Sequence, residues 1–168
     1  MARSSHLLGL ISDTHGLIRP GALDALRGSD LIIHAGDIGD PAVLESLAKI
    51  APVRAIRGNN DRGEWAASLP VTEVVELGSL SIYVLHNLAE LDLDPVAAGC
   101  SVVISGHSHR PAIEKRDTVL YVNPGSAGPR RFKLPVTVAT LKLQSGQCDA
   151  MIVQLPLAQL GGRRSRLS

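Results

Sequence analysis

Through the first third of the chain, short apolar runs halted by glycine or a polar residue alternate with segments of helical spacing. Residues 7–11 are apolar and stop at Ser12-Asp13, as a buried strand does. Pro20 opens a predicted helix, with Ala22, Leu23 and Leu26 at helical spacing and Gly28 closing it. Leu31–His34 is the next strand and runs into Gly36-Asp37. Residues 41–50 carry Val43, Leu44, Leu47 and Ile50 on one helical face. Residues 53–56 form a third strand that ends at Gly58. This alternation predicts α/β architecture with a parallel sheet and right-handed crossovers.

The remainder changes character. Residues 74–77 and Leu80–Leu85 flank Gly78-Ser79 and read as a hairpin. Residues 95–99 read as the tail of a short helix. Residues 102–105, 119–122, 136–143 and 150–155 are further predicted strands, several bounded by Gly or Pro. Without repeat or linker, the expectation is one domain over residues 1–160. Residues 161–168, with three arginines and no apolar face, are expected to form a disordered tail.

Composition narrows the function classes. At 168 residues the chain is long enough to bury a core, and with 2% aromatics that core must be aliphatic. Few aromatic faces and a net charge of +1 give no grip for nucleic acid or an anionic membrane. Cys100 and Cys148 are far apart and expected to be buried free thiols. The apolar run at the N-terminus is too short for a secretory signal, and no run is long enough to span a bilayer. The cytoplasm is the expected compartment.

What packing does not explain is where the strands end. The first runs into Asp13-Thr14-His15, the second into Gly36-Asp37, and the third into Gly58-Asn59-Asn60-Asp61. The strand Leu80–Leu85 ends at His86, and residues 102–105 end at Gly106-His107-Ser108-His109. Carboxyl ends of strands line the ligand crevice in open α/β sheets. Each block alone has an ordinary reading: Asp13 as a turn acceptor, Gly36-Asp37 as a turn, His86 as a hydrogen-bonded buried imidazole. Yet four of the six histidines fall at these strand ends, which scattered core histidines would not do. His6 and His34 do not, and both are taken as structural.

In this order, the blocks Asp-x-His, Gly-Asp, Gly-Asn-x-Asp, a lone His and Gly-His-x-His resemble the calcineurin-like metallophosphoesterase superfamily. The match runs from Asp13 to His109, and Asn123-Pro124-Gly125-Ser126 extends the likeness to the small single-domain bacterial and archaeal phosphodiesterases. The resemblance implies a four-layer αββα sandwich and a dinuclear metal site. One ion would take Asp13, His15, Asp37 and His109, the other Asp37, Asn59, His86 and His107, with Asp37 and a water or hydroxide bridging them. The implied reaction is direct in-line attack of that hydroxide on phosphorus, with Asp37, Asn59, Asn60 and His107 as the catalytic set. Elementary chemistry agrees: paired divalent ions clamp attacking and phosphoryl oxygens and lower the pKa of a bound water to about 7. Mixed nitrogen and oxygen donors suit Mn, Fe, Co, Ni or Zn better than Ca or Mg, and manganese is expected.

Two positions depart from the family pattern. Asn60 stands where many members have a histidine that protonates the leaving alcohol; an amide has no such proton to give, although it can hydrogen-bond a phosphate oxygen. Asn87 follows His86 where the family usually has Gly, so a side chain there narrows the site or changes the backbone angle. Asp61 is read as steadying its loop, Asn123–Ser126 as a tight turn, and Arg130-Arg131 as a solvated basic pair. The expected substrate is a small organic phosphodiester or phosphomonoester, the diester favoured. The alternative is a non-catalytic scaffold, for which the retromer subunit of this fold is a precedent; seven competent ligand positions count against it. A homodimer is open to such a chain, but no residue marks its interface.

Overall fold

In the computed structural model, which describes residues 5–157, the expected alternation is present at the start. Strand β1 (Ser5–Ile11), helix α1 (Pro20–Leu26), strand β2 (Leu31–His34), helix α2 (Pro41–Ala48) and strand β3 (Val53–Ala55) follow one another. The three strands pair in parallel. Proline opens both helices, where its missing N–H costs nothing, and the Asp40 side chain caps α2 by accepting from the Ala42 N–H. After helix α3 (Glu64–Ala67) come β4 (Thr72–Leu77) and β5 (Leu80–Leu85), joined as the predicted hairpin. Then follow a 3-10 helix (Leu88–Glu90), β6 (Val102–Ile104), β7 (Ala112–Arg116), β8 (Val119–Asn123), β9 (Thr137–Gln144) and β10 (Gln147–Gln154).

The strands form two five-stranded sheets, ordered β10-β9-β1-β2-β3 and β4-β5-β6-β8-β7. Both are mixed. In the first, β9 and β10 add antiparallel strands to the parallel trio; in the second, β5, β6 and β8 are parallel between two antiparallel edges. The sheets pack face to face over an aliphatic core that includes Leu8, Leu10, Ile33, Ile82, Val84, Ile104 and Leu141. Leu26 of α1 and Val43 and Leu47 of α2 cover the outer face of the first sheet with Ile32. Strand β5 alternates accordingly, sending Ile82 and Val84 inward and Tyr83 and Leu85 to the other face.

The fold is thus the expected αββα type, but its last layer is thin. Leu88, Leu91 and Leu93 cover Tyr83, Leu85 and Val103 from the 3-10 helix and the segment behind it. The short helix expected over residues 95–99 is not formed. The Asp94 side chain accepts from Val96 N–H, and the chain closes a turn by Ala98 N–H to Asp94 O and Cys100 N–H to Pro95 O. Strand β7 escaped the sequence reading because its residues, Ala-Ile-Glu-Lys-Arg, are all exposed and show no apolar alternation. The cysteines are free, Cys100 buried and Cys148 half-buried rather than fully buried. Among the described residues no helix is long and apolar enough to cross a membrane. The tail expected at 161–168 lies outside the described residues.

Candidate metal centre

The carboxyl ends of β1, β2, β3, β5 and β6 meet at one edge of the sandwich, so both sheets contribute. Five candidate ligands occupy left-handed backbone conformations: Asp13 (φ 55°), His15 (φ 46°), Asp37 (φ 55°), His107 (φ 69°) and His109 (φ 61°). They are five of the eight non-glycine residues with positive φ among the described residues. Such angles are uncommon outside glycine and persist only where surrounding contacts over-determine them.

Those contacts are present. Asp13 is buried, and its Oδ2 accepts from the Ser12 hydroxyl at 2.7 Å and the His107 N–H at 3.0 Å. That leaves Asp13 Oδ1 facing His109 Nε2 at 3.3 Å, His86 Nε2 at 3.8 Å and His15 Nε2 at 4.0 Å. Asp37 Oδ1 accepts from the Asn60 N–H and Oδ2 from the Asn60 side-chain amide, both at 2.9 Å. Asp37 Oδ2 also lies 3.3 Å from His86 Nε2 and 3.8 Å from His15 Nε2. The His86 Nδ1–H donates to the Ala35 carbonyl at 2.7 Å, which turns Nε2 towards the two carboxylates.

Charge follows this geometry. Burial alone would raise the Asp37 pKa, but the His86 imidazole and the two Asn60 donors reverse this and hold the carboxyl well below its usual range. Burial disfavours charge on His86, yet the adjacent Asp37 and the Ala35 carbonyl raise its pKa above the ordinary imidazole value. For His109 burial prevails and lowers the pKa, with Arg131 adding to the effect against the pull of Asp13.

Close approach explains the block glycines. A Cβ at Gly58 would collide with Asp37, and one at Gly106 with Ser12 and Asp13. Asp61 ties the same loops together, accepting from the N–H groups of Gly58 (2.9 Å), Gly39 (2.9 Å) and Ile38 (3.2 Å). Asn123 donates to the Gly106 carbonyl at 3.0 Å and Ser126 to the Asp13 carbonyl at 3.0 Å, so that loop is a brace between the first and last of the five blocks.

Of the predicted site residues, the structure gathers Asp13, His15 and His109 into one group of potential ligand atoms and Asp13, Asp37 and His86 into another. Asp13 is therefore common to both groups, whereas Asp37 belongs to the second alone. His107 is exposed but flanks the cluster, its ring edge-on to His86 with centroids 5.2 Å apart. Asn59 is exposed on the rim of a cleft of about 730 Å³ that His86 and His107 also line. Asn60 spends its amide on Asp37, and Asn87 accepts from the Ala89 N–H to cap the 3-10 helix at an ordinary φ of −111°. Sequence reasoning gave no role to Ser12 or Thr14, small polar residues inside the first block that anchor Asp13 and His34.

The residues suit metal ions on their own evidence. Asp13 Oδ1, His15 Nε2 and His86 Nε2 are buried without hydrogen-bond partners, and His109 turns its Nε2 to the same Asp13 oxygen, so two carboxylates face three imidazoles. Buried polar atoms left unpaired in this way are costly, and a divalent cation satisfies such donors together.

The sequence profile of the calcineurin-like phosphoesterase superfamily domain matches residues 7–146. A probable metallophosphoesterase of Methanothermobacter thermautotrophicus is 32% identical over 160 residues, covering 88% of this chain and 92% of its own. A phosphodiesterase of Methanocaldococcus jannaschii is 28% identical over 137 residues, 70% of this chain and 82% of its own. Among solved structures, Vps29 of Chaetomium thermophilum superposes with a TM-score of 0.72 at 22% identity, over 90% of this chain and all (100%) of Vps29. With five ordered blocks, a two-sheet sandwich and this breadth of match, the chain belongs to the calcineurin-like phosphoesterase superfamily.

Proposed function

We propose that the chain hydrolyses a small organic phosphate ester, diesters before monoesters, with two divalent transition-metal ions. Asp13, His15, Asp37 and His109 would hold one ion, and Asp37, Asn59, His86 and His107 the other. When bound, such a pair would grip the phosphoryl oxygens and lower the pKa of a water so that it attacks phosphorus in line. The observation that carries this reading is the convergence of buried, unpartnered Asp13 Oδ1, His15 Nε2 and His86 Nε2 from two sheets on one point.

The chain's own groups supply the rest. Asn60 fixes both oxygens of Asp37 and keeps it ionised, while the Ser12 hydroxyl and the His107 N–H fix Asp13. No imidazole stands at position 60 to protonate a departing alcohol, a form of help worth about 10²–10⁴-fold. The reading therefore favours good leaving groups. The phosphodiesterase name of the Methanocaldococcus relative supports the same preference. Manganese is the first ion to add, since mixed nitrogen and oxygen donors suit first-row transition metals.

The test is hydrolysis of bis-p-nitrophenyl phosphate and p-nitrophenyl phosphate by metal-stripped protein, with each divalent ion returned in turn. Metal-restored turnover, faster on the diester and reduced at least 100-fold in His86→Ala, is the expected result. Stoichiometric metal uptake without turnover of either ester would instead favour a non-catalytic scaffold built on the same fold.

A further inference from the structure

The thin fourth layer leaves part of the second sheet uncovered where it meets the site. Leu88, Leu91 and Leu93 lie over β5 and β6, and the same cluster takes in Val119 and part of Tyr121 on β8, but β7 is exposed along its whole length. There, a pocket of about 240 Å³ opens beside His107. Its floor is the cross-strand pair Glu114 and Tyr121, and its walls come from Leu88 and the loop that carries His107 and Arg110. Asn87 and His107 line both this pocket and the larger cleft, so the two voids adjoin through these residues, and the pocket meets the candidate metal centre at His107.

The two voids differ in charge. In the pocket, Arg116 pairs with Glu114 at 2.9 Å and lies over the Tyr121 ring at 4.6 Å from its centroid, so these two charges cancel and the guanidinium is fixed. Arg110 makes no ion pair among the described residues and leaves the pocket with one uncompensated positive charge. The larger cleft carries Glu90 and Asp92 against Arg57 alone on its open rim. By volume the pocket holds the equivalent of about eight water molecules, enough for one ring but not for a peptide or a nucleic-acid strand.

We propose that this pocket is a subsite for one arm of the substrate, a ring-sized organic group bearing a negative charge, with Arg110 as the residue that selects it. The proposal rests on the phosphoesterase reading. The ring packs on Leu88 and the Arg116–Tyr121 stack, and its anionic end meets Arg110. The acidic rim of the larger cleft repels the same group, so the two voids sort the two arms of a diester.

The test uses two 4-nitrophenyl phosphodiesters whose second arm is benzyl or 4-carboxybenzyl. The expected result is a KM at least fivefold lower for the carboxybenzyl ester, with kcat alike. In Arg110→Ala that ratio falls to about one, and Arg110→Lys restores part of it. Equal KM values in the unaltered protein, or a preference that survives Arg110→Ala, overturn the proposal. Binding of 4-carboxybenzylphosphonate to zinc-treated protein, followed by backbone amide shifts, gives a readout independent of turnover. Shifts at Leu88, Arg110 and Tyr121 support the subsite; their absence, or shifts confined to residues 57–61, Glu90 and Asp92, overturns it. If neither diester is hydrolysed with any ion, the phosphoesterase reading fails, and the amide shifts alone decide whether the pocket binds an anionic ring.

Discussion

Asp37 is held on both carboxylate oxygens by one neighbour, with Asn60 giving its backbone N–H to Oδ1 and its side-chain amide to Oδ2. The pair is 23 residues apart and comes from two different strand ends. Sequence could name both residues as site members but not join them, because no spacing rule relates the ends of neighbouring parallel strands. The family pattern instead directed attention to the missing imidazole at 60. The structure adds a second task for this residue, which is to orient and charge Asp37. Two substitutions separate these tasks. Asn60→Ala loses one of the two bonds, and kcat for bis-p-nitrophenyl phosphate is expected to fall about tenfold, the cost of about 1.4 kcal/mol. Asn60→Asp keeps the shape but sets a second carboxylate against Asp37, and should cost at least tenfold more than Asn60→Ala near neutral pH. If Asn60→Asp matched Asn60→Ala, charge on Asp37 would not be what Asn60 controls.

At the scale of the element, the legible parts of the fold were those with an apolar period. Strands β1, β2 and β5 and both longer helices could be read because each buries a defined face, while the all-exposed edge strand β7 and the turn at 95–99 had no such face to show. The same limit applies to His34, whose burial at the end of β2 was legible but whose partners were not. Its Nδ1 accepts from the Gly36 N–H at 3.1 Å, and its Nε2–H meets the Thr14 hydroxyl at 3.0 Å, which in turn donates to the Ile38 carbonyl at 2.8 Å. This chain of bonds ties the end of β1 to the end of β2, one residue from Asp13 and one from Asp37. It works only with the neutral ring, and burial, helped by the charge of His86, lowers the His34 pKa from 6.5 to about 3. The unfolded chain therefore takes up a proton below pH 6.5 that the folded chain refuses until about pH 3, so stability falls as pH falls through that window. The slope expected from this group is about 1.4 kcal/mol per pH unit. Urea midpoints of the unaltered protein and of His34→Asn at pH 7, 6 and 5 check it. The unaltered protein should be the more stable at pH 7, and its advantage should shrink at each step down. A constant gap would mean that His34 is not the group refusing the proton.

For the whole molecule, the site is a place where polar groups as well as apolar packing join the two sheets, as the exposed Arg54–Glu73 ion pair does between β3 and β4. Asp13, His15, Asp37 and Asn59 follow strands of the first sheet, whereas His86, His107 and His109 follow strands of the second. Direct polar links across this seam include the His107 N–H to Asp13, the His86 Nδ1–H to the Ala35 carbonyl and the Ser126 hydroxyl to the Asp13 carbonyl. Ions bound as proposed would each draw ligands from both sheets, so metal binding and sheet-to-sheet cohesion should be one event. A ligand that binds only the folded state at 100 times its Kd adds about 2.7 kcal/mol. For a chain of this length that corresponds to a rise in Tm of about 5–10 °C. Thermal melts of metal-stripped protein with and without manganese or zinc should show this rise, and a chelator should reverse it. His86→Ala removes a donor of the second sheet and should lose most of the shift, while His6→Ala, a change on β1 away from the seam, should keep it. Stoichiometric uptake with no change in Tm would mean that the ions bind the unfolded chain as tightly as the folded one, and the assignment of Asp13, Asp37 and the three histidines of the second sheet to a folded metal centre would have to be abandoned. A shift that survives His86→Ala would confine that revision to the second ion and leave Asp13, His15 and His109 as a single metal site.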